Sequence, residues 1–258
     1  MSAAPTPYPA AVTGWLTGGH HRRVLDLGTG RGALAHMLAD DGHHVVCLDH
    51  DITPLRAMVE VDAQGLAHGG GLTPIAGQAS NLPFADRTFD VVTCAQVLHR
   101  FAPGLTLAEA ARVLRPGGIF SVVYNTRDDT VPWVKRLTRL VQQFDPTIMS
   151  GDFGHGSITA LTDSPYFFDV EKYNFRNWIP VTRPQMLTMV ERNPAVSRLA
   201  TEQREDLLRQ VGELYDASAR APEPLLLPFQ ATCWRAEVDH TEVSFTDGDD
   251  GLDIPLGF

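Results

Sequence analysis

Short, almost wholly apolar runs alternate along the chain with longer segments whose apolar residues recur every three or four positions. The runs are RVLDL (23–27), HVVCLD (44–49), LTPIAG (72–77), FDVVTCA (89–95) and GIFSVVY (118–124), all of strand length. Helical spacing fills 31–41, 52–66 and 105–115 between them. Strands that are apolar on both faces and separated by helices form parallel sheets, and right-handed crossovers lay the helices on both sides. The pattern predicts an α/β fold with a doubly wound sheet. RPGG at 115–118 reads as a helix stop followed by a strand start, with proline ending the helix and glycine supplying the unusual dihedrals.

Beyond Tyr124 the alternation loosens. An amphipathic helix is expected at 131–144, then a polar, glycine-rich irregular insertion at 145–167. A strand follows at 170–181, helices at 182–193 and 201–217, and a closing strand at 229–238. We expect a single domain over 1–238. From Asp239 onward six acidic residues and no Lys or Arg predict a solvated acidic tail, 239–258.

Composition narrows the function classes. Hydrophobic residues make up 43% of 258 and no apolar stretch reaches membrane-span length, so neither a membrane span nor a membrane partner is expected. The N-terminus lacks a basic region and a continuous apolar core, which predicts a cytoplasmic protein. A net charge of −10 would repel phosphate backbones, so nucleic acid is excluded as a partner. Cys47, Cys94 and Cys233 form no CxxC pair and His20–His21 and His43–His44 lack ligand spacing; no metal site is expected, and the four histidines read as surface residues.

The sharpest local signal is VLDLGTGRG at 24–32, a strand that breaks into three glycines before a helix. Such a turn exposes backbone N–H groups to a nucleotide. Gly28-Thr-Gly30-Arg-Gly32-Ala33 fits the loose dinucleotide pattern, and Asp49 follows Gly28 by 21 positions, suited to ribose hydroxyls. A nicotinamide-dependent oxidoreductase is therefore one reading, and a tight turn without a ligand is another. Asp26, two residues before Gly28, departs from the dinucleotide pattern. A carboxylate there suits a ligand bearing an ammonium and a sulfonium, which describes S-adenosylmethionine.

VLDLGTGRG, VVCLDHD, IAGQASNLPFADRTFDVV and LAEAARVLRPGGIFSVVYN, in that order and spacing, resemble the class I S-adenosylmethionine-dependent methyltransferases. Tyr8-Pro9 and Asn125-Thr-Arg127-Asp128-Asp129 further resemble the branch related to trans-aconitate methyltransferase. The resemblance implies a Rossmann-like seven-stranded sheet in order 3-2-1-4-5-7-6 with the last strand antiparallel. It also implies a cofactor core at 8–125 and acceptor recognition within 126–230. S-adenosylmethionine would be the cofactor and S-adenosylhomocysteine the product. Asp26, Gly28 and Gly30 would face its methionine part, Asp49 the ribose, and His50, Gln78, Ala79 and Ser80 the adenine, with Tyr8, Cys94 and Gln96 completing the set. The chain departs from the family where G-D-A-E-x-L-P-F is usual: it has Gly77-Gln78-Ala79-Ser80-Asn81-Leu82-Pro83-Phe84. It also lacks the Arg-Pro that usually precedes Tyr-Pro.

Methyl transfer to a hydroxyl needs in-line alignment and a base for the proton. His99 lies just past the fourth strand, where open α/β sheets place ligands, and the pKa of imidazole suits the task. It reads equally well as a residue that stabilises the loop. His155 and Asp152 in SGDFGHGS are further candidates for catalysis, with a plain surface loop as the other reading. Asn125, Arg127, Trp133 and Trp178 are expected to contact the acceptor, though both tryptophans fit a core role. The expected acceptor is a small molecule methylated on a hydroxyl, as in a sugar or polyol-like natural product. A carboxylate esterified without a base, paired with Arg127 or Arg100, is the alternative. A silent cofactor-binding module is a third reading. Monomer and homodimer are both compatible with the sequence.

Overall fold

The computed structural model describes residues 8–62, 71–128, 130–144, 155–220 and 224–245. Helix α1 (Ala11–Thr17) leads into β1 (Arg23–Leu27), α2 (Ala33–Asp40), β2 (His44–Asp49), α3 (Ile52–Asp62), β3 (Leu72–Ala76) and β4 (Phe89–Ala95). Then come α4 (Pro103–Val113), β5 (Leu114–Arg127), α5 (Pro132–Gln142), α6 (His155–Thr162) and β6 (Phe167–Val181). Helices α7 (Arg183–Glu191), α8 (Pro194–Ser197) and α9 (Thr201–Ser218) precede the closing strand β7 (Leu225–Val238). The seven strands form one sheet in the order β3-β2-β1-β4-β5-β7-β6, with the last strand antiparallel, as the resemblance implied.

Each central strand forms because both of its faces are covered. Val24, Leu25, Leu27, Val45, Val46, Cys47, Leu48, Val91, Val92 and Cys94 are all buried. Leu25, Val46, Val92 and Phe120 pack on one side with α4 and Phe84, while Val24, Val45 and Val91 pack on the other with α1 and α2. Pro74 removes one ladder donor, and β3 accordingly lies at the sheet edge.

By its contacts the chain divides into two compact units. The first comprises Met1–Asn125, Gly154–Phe175 and Ala231–Phe258; the second comprises Thr126–Phe153 and Arg176–Gln230. The second has its own core, in which Val134, Leu137 and Val141 of α5 meet Met186 and Val190 of α7 and Leu207 and Val211 of α9.

Several elements differ from the sequence reading. RPGG lies inside β5: Leu114 pairs with Phe89, and the next partners are Ile119 and Val91, so the chain bulges between them. Gly117 there has φ +74°, and a Cβ on Gly118 would sit 2.7 Å from the Arg115 carbonyl. Residues 155–162 of the expected irregular insertion are helical. His20, His21 and His44 are exposed as expected, but His43 is buried, its Nδ1 accepting from the Arg22 amide at 3.0 Å. The start of the expected solvated tail is docked: His240 Nε2 lies 3.1 Å from the carbonyls of Ala111 and Leu114, and Phe245 stacks under Arg87.

Candidate functional site

At the carboxyl ends of β1, β2 and β4 the first unit holds a cavity of about 590 Å³. Its glycine wall follows β1 directly. Gly28, Gly30 and Gly32 have φ of +65°, +57° and +76°, a left-handed series that favours glycine. Gly28 has a second reason to lack a side chain, since a Cβ would meet Val97 Cγ2 at 2.9 Å and Phe101 Cζ at 3.0 Å. The amides of Gly28 and Thr29 donate to the Leu48 carbonyl at 2.7 and 3.2 Å, which fixes the loop over the end of β2.

Asp49, the last residue of β2, closes the next wall. Its carboxylate accepts from the Gly30 amide at 2.8 Å and the Asp51 amide at 3.0 Å, and His50 Nδ1 lies 3.1 Å away. Residues 19 apart in sequence thus meet across one loop. Gly77, Gln78, Ala79 and Ser80 form the third wall. Arg112 anchors that segment from α4: it donates to the carbonyls of Leu82 and Phe84 and pairs with Asp86 and Glu109, while Glu109 accepts from the Leu82 amide.

The fourth wall follows β4. Gln96 adopts φ +61°, costly for a residue with a side chain, and such strain concentrates at ligand sites. Its Nε2 donates to the Asn125 carbonyl at 3.5 Å. Val97, Arg100, Phe101 and Thr106 complete the lining.

Eight of the expected cofactor residues therefore line one cavity: Gly28, Gly30, Asp49, His50, Gln78, Ala79, Ser80 and Gln96. Three are buried instead. Asp26 accepts from Thr93 Oγ1 at 2.8 Å, and burial raises its pKa to about 6. Tyr8 is buried within reach of the Asp26 charge and hydrogen-bonds Gln96; burial, then that charge, pushes its hydroxyl pKa upward. Cys94 is fully buried beside Ala95, and burial lifts its thiol far above the usual range.

His99 lies on a short 3₁₀ turn, Leu98–Arg100, between the lining residues Val97 and Arg100. Its amide donates to the Tyr124 hydroxyl at 3.1 Å, and its Nδ1 is 3.2 Å from the same oxygen, which also meets Ser157 Oγ at 3.3 Å. Desolvation, then Arg100, holds the imidazole pKa below its ordinary value. Asn125 is half-buried beside Gln96. Asn125 does not line the cavity itself, nor do Trp133 and Trp178. Trp133 packs on the core of the second unit, and Trp178 is 53% exposed on β6. His155 begins α6, but its side chain and that of Arg127 are outside the described set, as is Asp152 altogether.

The apolar wall of Val97 and Phe101, with Thr106, was not anticipated. No motif marks it, because only the fold of the turn after β4 brings these residues to the glycine loop.

Residues 25–122 match the family model of a methyltransferase domain. Over 233 residues the chain is 31% identical to an uncharacterized methyltransferase of Mycobacterium tuberculosis, covering 89% of this chain and 88% of the relative. Among solved structures it is similar to a candidate type II methyltransferase from Anaeromyxobacter dehalogenans, with a TM-score of 0.62 at 22% identity over 91% of this chain and 97% of that one. It is also similar to phosphoethanolamine N-methyltransferase 2 of Haemonchus contortus, solved with phosphomonomethylethanolamine and S-adenosylhomocysteine. That likeness has a TM-score of 0.51 at 17% identity, over 88% of this chain and 51% of the other. These relationships replace the oxidoreductase reading of the glycine loop. The chain belongs to the class I S-adenosylmethionine-dependent methyltransferases.

Proposed function

We propose that the 590 Å³ cavity binds S-adenosylmethionine and that the protein transfers its methyl group to an oxygen of a small molecule. The observation carrying this reading is the convergence of four separated segments, Gly28–Gly30, Asp49–His50, Gln78–Ser80 and Gln96, on one cavity. Asp49 accepts from the ribose hydroxyls, and the Gln78–Ser80 segment and His50 border the adenine. Gly28 and Gly30 let the methionine part approach bare backbone, with the Asp26 carboxylate behind them favouring its positive charge. The bound complex of the Haemonchus contortus enzyme, which holds S-adenosylhomocysteine, supports the choice of cofactor.

The cofactor supplies an activated methyl on a positively charged sulfur, and the leaving thioether departs neutral. What remains for the chain is alignment and proton removal. His99 takes the acceptor's hydroxyl proton on Nε2. This requires Nδ1–H to donate to Tyr124, whose own hydrogen then goes to Ser157. The lowered pKa keeps the ring neutral and able to accept at neutral pH. A second reading, methyl-ester formation on a carboxylate, is favoured by Arg100, a cation lining the same cavity. That reaction needs no base.

His99→Ala separates the two. With radiolabelled methyl donor, a hydroxyl acceptor should lose about 100-fold or more in kcat in this variant. A carboxylate acceptor should keep its rate. Unchanged hydroxyl methylation in the variant would remove His99 from the mechanism.

A further inference from the structure

The second unit carries a cleft of about 800 Å³. It is lined by α5 together with Asp128, Thr130 and Gln230 of β7. Thr126 Oγ1 donates to the Gln230 carbonyl at 3.3 Å, and the Asp128 amide donates to the Pro228 carbonyl at 3.0 Å. On α5, Lys135, Thr138, Arg139 and Gln142 all line the cleft, spaced so that they form one stripe along the helix. The opposite face of α5, Val134, Leu137 and Val141, is buried in the core of the unit. The stripe is therefore held in place by packing.

Among the described residues that line the cleft, cations outnumber acids. Asp128 is the one acid among them, and that carboxylate is already engaged: Thr130 donates to it through its amide at 3.0 Å and its hydroxyl at 2.6 Å, and Arg176 lies within electrostatic reach. Lys135 and Arg139, one turn apart, meet no carboxylate among the described residues. Elsewhere in this unit Arg209 pairs with Asp206 and Glu213, and Arg183 pairs with Asp216. Helix α5 contains no acid at all, in a chain of net charge −10. Two adjacent cations repel each other, and an anion between them removes that cost. Thr130, Thr138, Gln142 and Gln230 make up the rest of the described lining, all of it polar.

We propose that this cleft binds a carboxylate- or phosphate-bearing polar small molecule through Lys135 and Arg139. Binding of that ligand to the cleft does not depend on the methyl-transfer reading above.

The test titrates the full chain calorimetrically with citrate and with glucose 6-phosphate, and with glucose as the uncharged comparison. The Lys135→Gln/Arg139→Gln double variant is treated identically, and S-adenosylhomocysteine is titrated into both proteins. At least one anion should bind the wild type while glucose does not, and the double variant should bind that anion about tenfold or more weakly. Which of the two binds identifies the anionic group. Equal affinity in both proteins, or binding of neither anion to the wild type, overturns the proposal. The S-adenosylhomocysteine titration reports on the first cavity alone, so its failure would strike the cofactor reading and leave the anion result standing. A second measurement requires no variant. Lys135 and Lys172 are the only lysines, so the bound anion should slow acetylation of Lys135 and leave Lys172 as internal reference. Equal rates at Lys135 with and without a saturating anion would also overturn the proposal.

Discussion

Asp26 shows most plainly what one buried carboxyl costs in stability. It is buried, holds one hydrogen bond from Thr93, and has a pKa raised from 3.8 to about 6 by burial. A carboxyl whose folded pKa lies above its unfolded value stabilises the fold fully below pH 3.8, and that contribution disappears as pH rises through about 6. The difference is worth on the order of 3 kcal/mol. Asp26→Asn keeps the acceptor for Thr93 and removes the charge. Denaturant unfolding should find this variant more stable than wild type at pH 8, by up to roughly 3 kcal/mol, with the gap shrinking at pH 5. Equal stability at both values would show that the buried charge costs nothing. The same variant should bind a sulfonium ligand more weakly. That Gly28 and Asp49 border one cavity was legible from the sequence because each answers a local demand, a bare backbone at a turn and an acceptor at a strand end; Asp26 lies buried instead. Burial of His43 was not, because its neighbours in sequence give no sign of it.

At the level of elements, β1, β2 and β4 begin and end where their apolar runs do. Their burial on both faces leaves no other arrangement for such residues. Less was legible where tertiary pairing overrides local signals. RPGG, which reads as a turn, is absorbed into β5 as a bulge because Leu114 finds a partner in Phe89. Strand β7 starts at Leu225, earlier than its sequence pattern suggests, and residues from His155 extend as a helix. The Gly77 amide ties the start of the segment after β3 to the Asp49 carbonyl at 2.9 Å, and Arg112 fastens its far end at Leu82 and Phe84 from α4. Arg112→Leu should leave Glu109 and Asp86 without their cation and destabilise the protein by on the order of 3 kcal/mol. It should also weaken cofactor binding, since the Gln78–Ser80 wall is attached to that node. Chemical denaturation and a cofactor titration on the same sample check both. A stable variant with normal affinity would mean the wall holds itself in place.

For the molecule as a whole, strand order followed from the family resemblance, and the edge of the sheet where the cavity lies followed from the βα alternation. Ends of parallel strands collect ligands at the point where the order reverses. The second unit was visible only as a loss of regularity, because its core of α5, α7 and α9 arises from contacts between distant segments. Membership in the methyltransferase class rests on relatives that extend over most of the chain, while the cavity gives that membership a location. The most direct measurement is calorimetry of the wild type and Asp49→Ala with S-adenosylmethionine, S-adenosylhomocysteine and NADH. We expect both adenosyl ligands to bind the wild type, to lose affinity by about tenfold or more in the variant, and NADH to bind neither protein. NADH binding without the adenosyl ligands, or adenosyl binding untouched by the loss of Asp49, would contradict the assignment of this cavity.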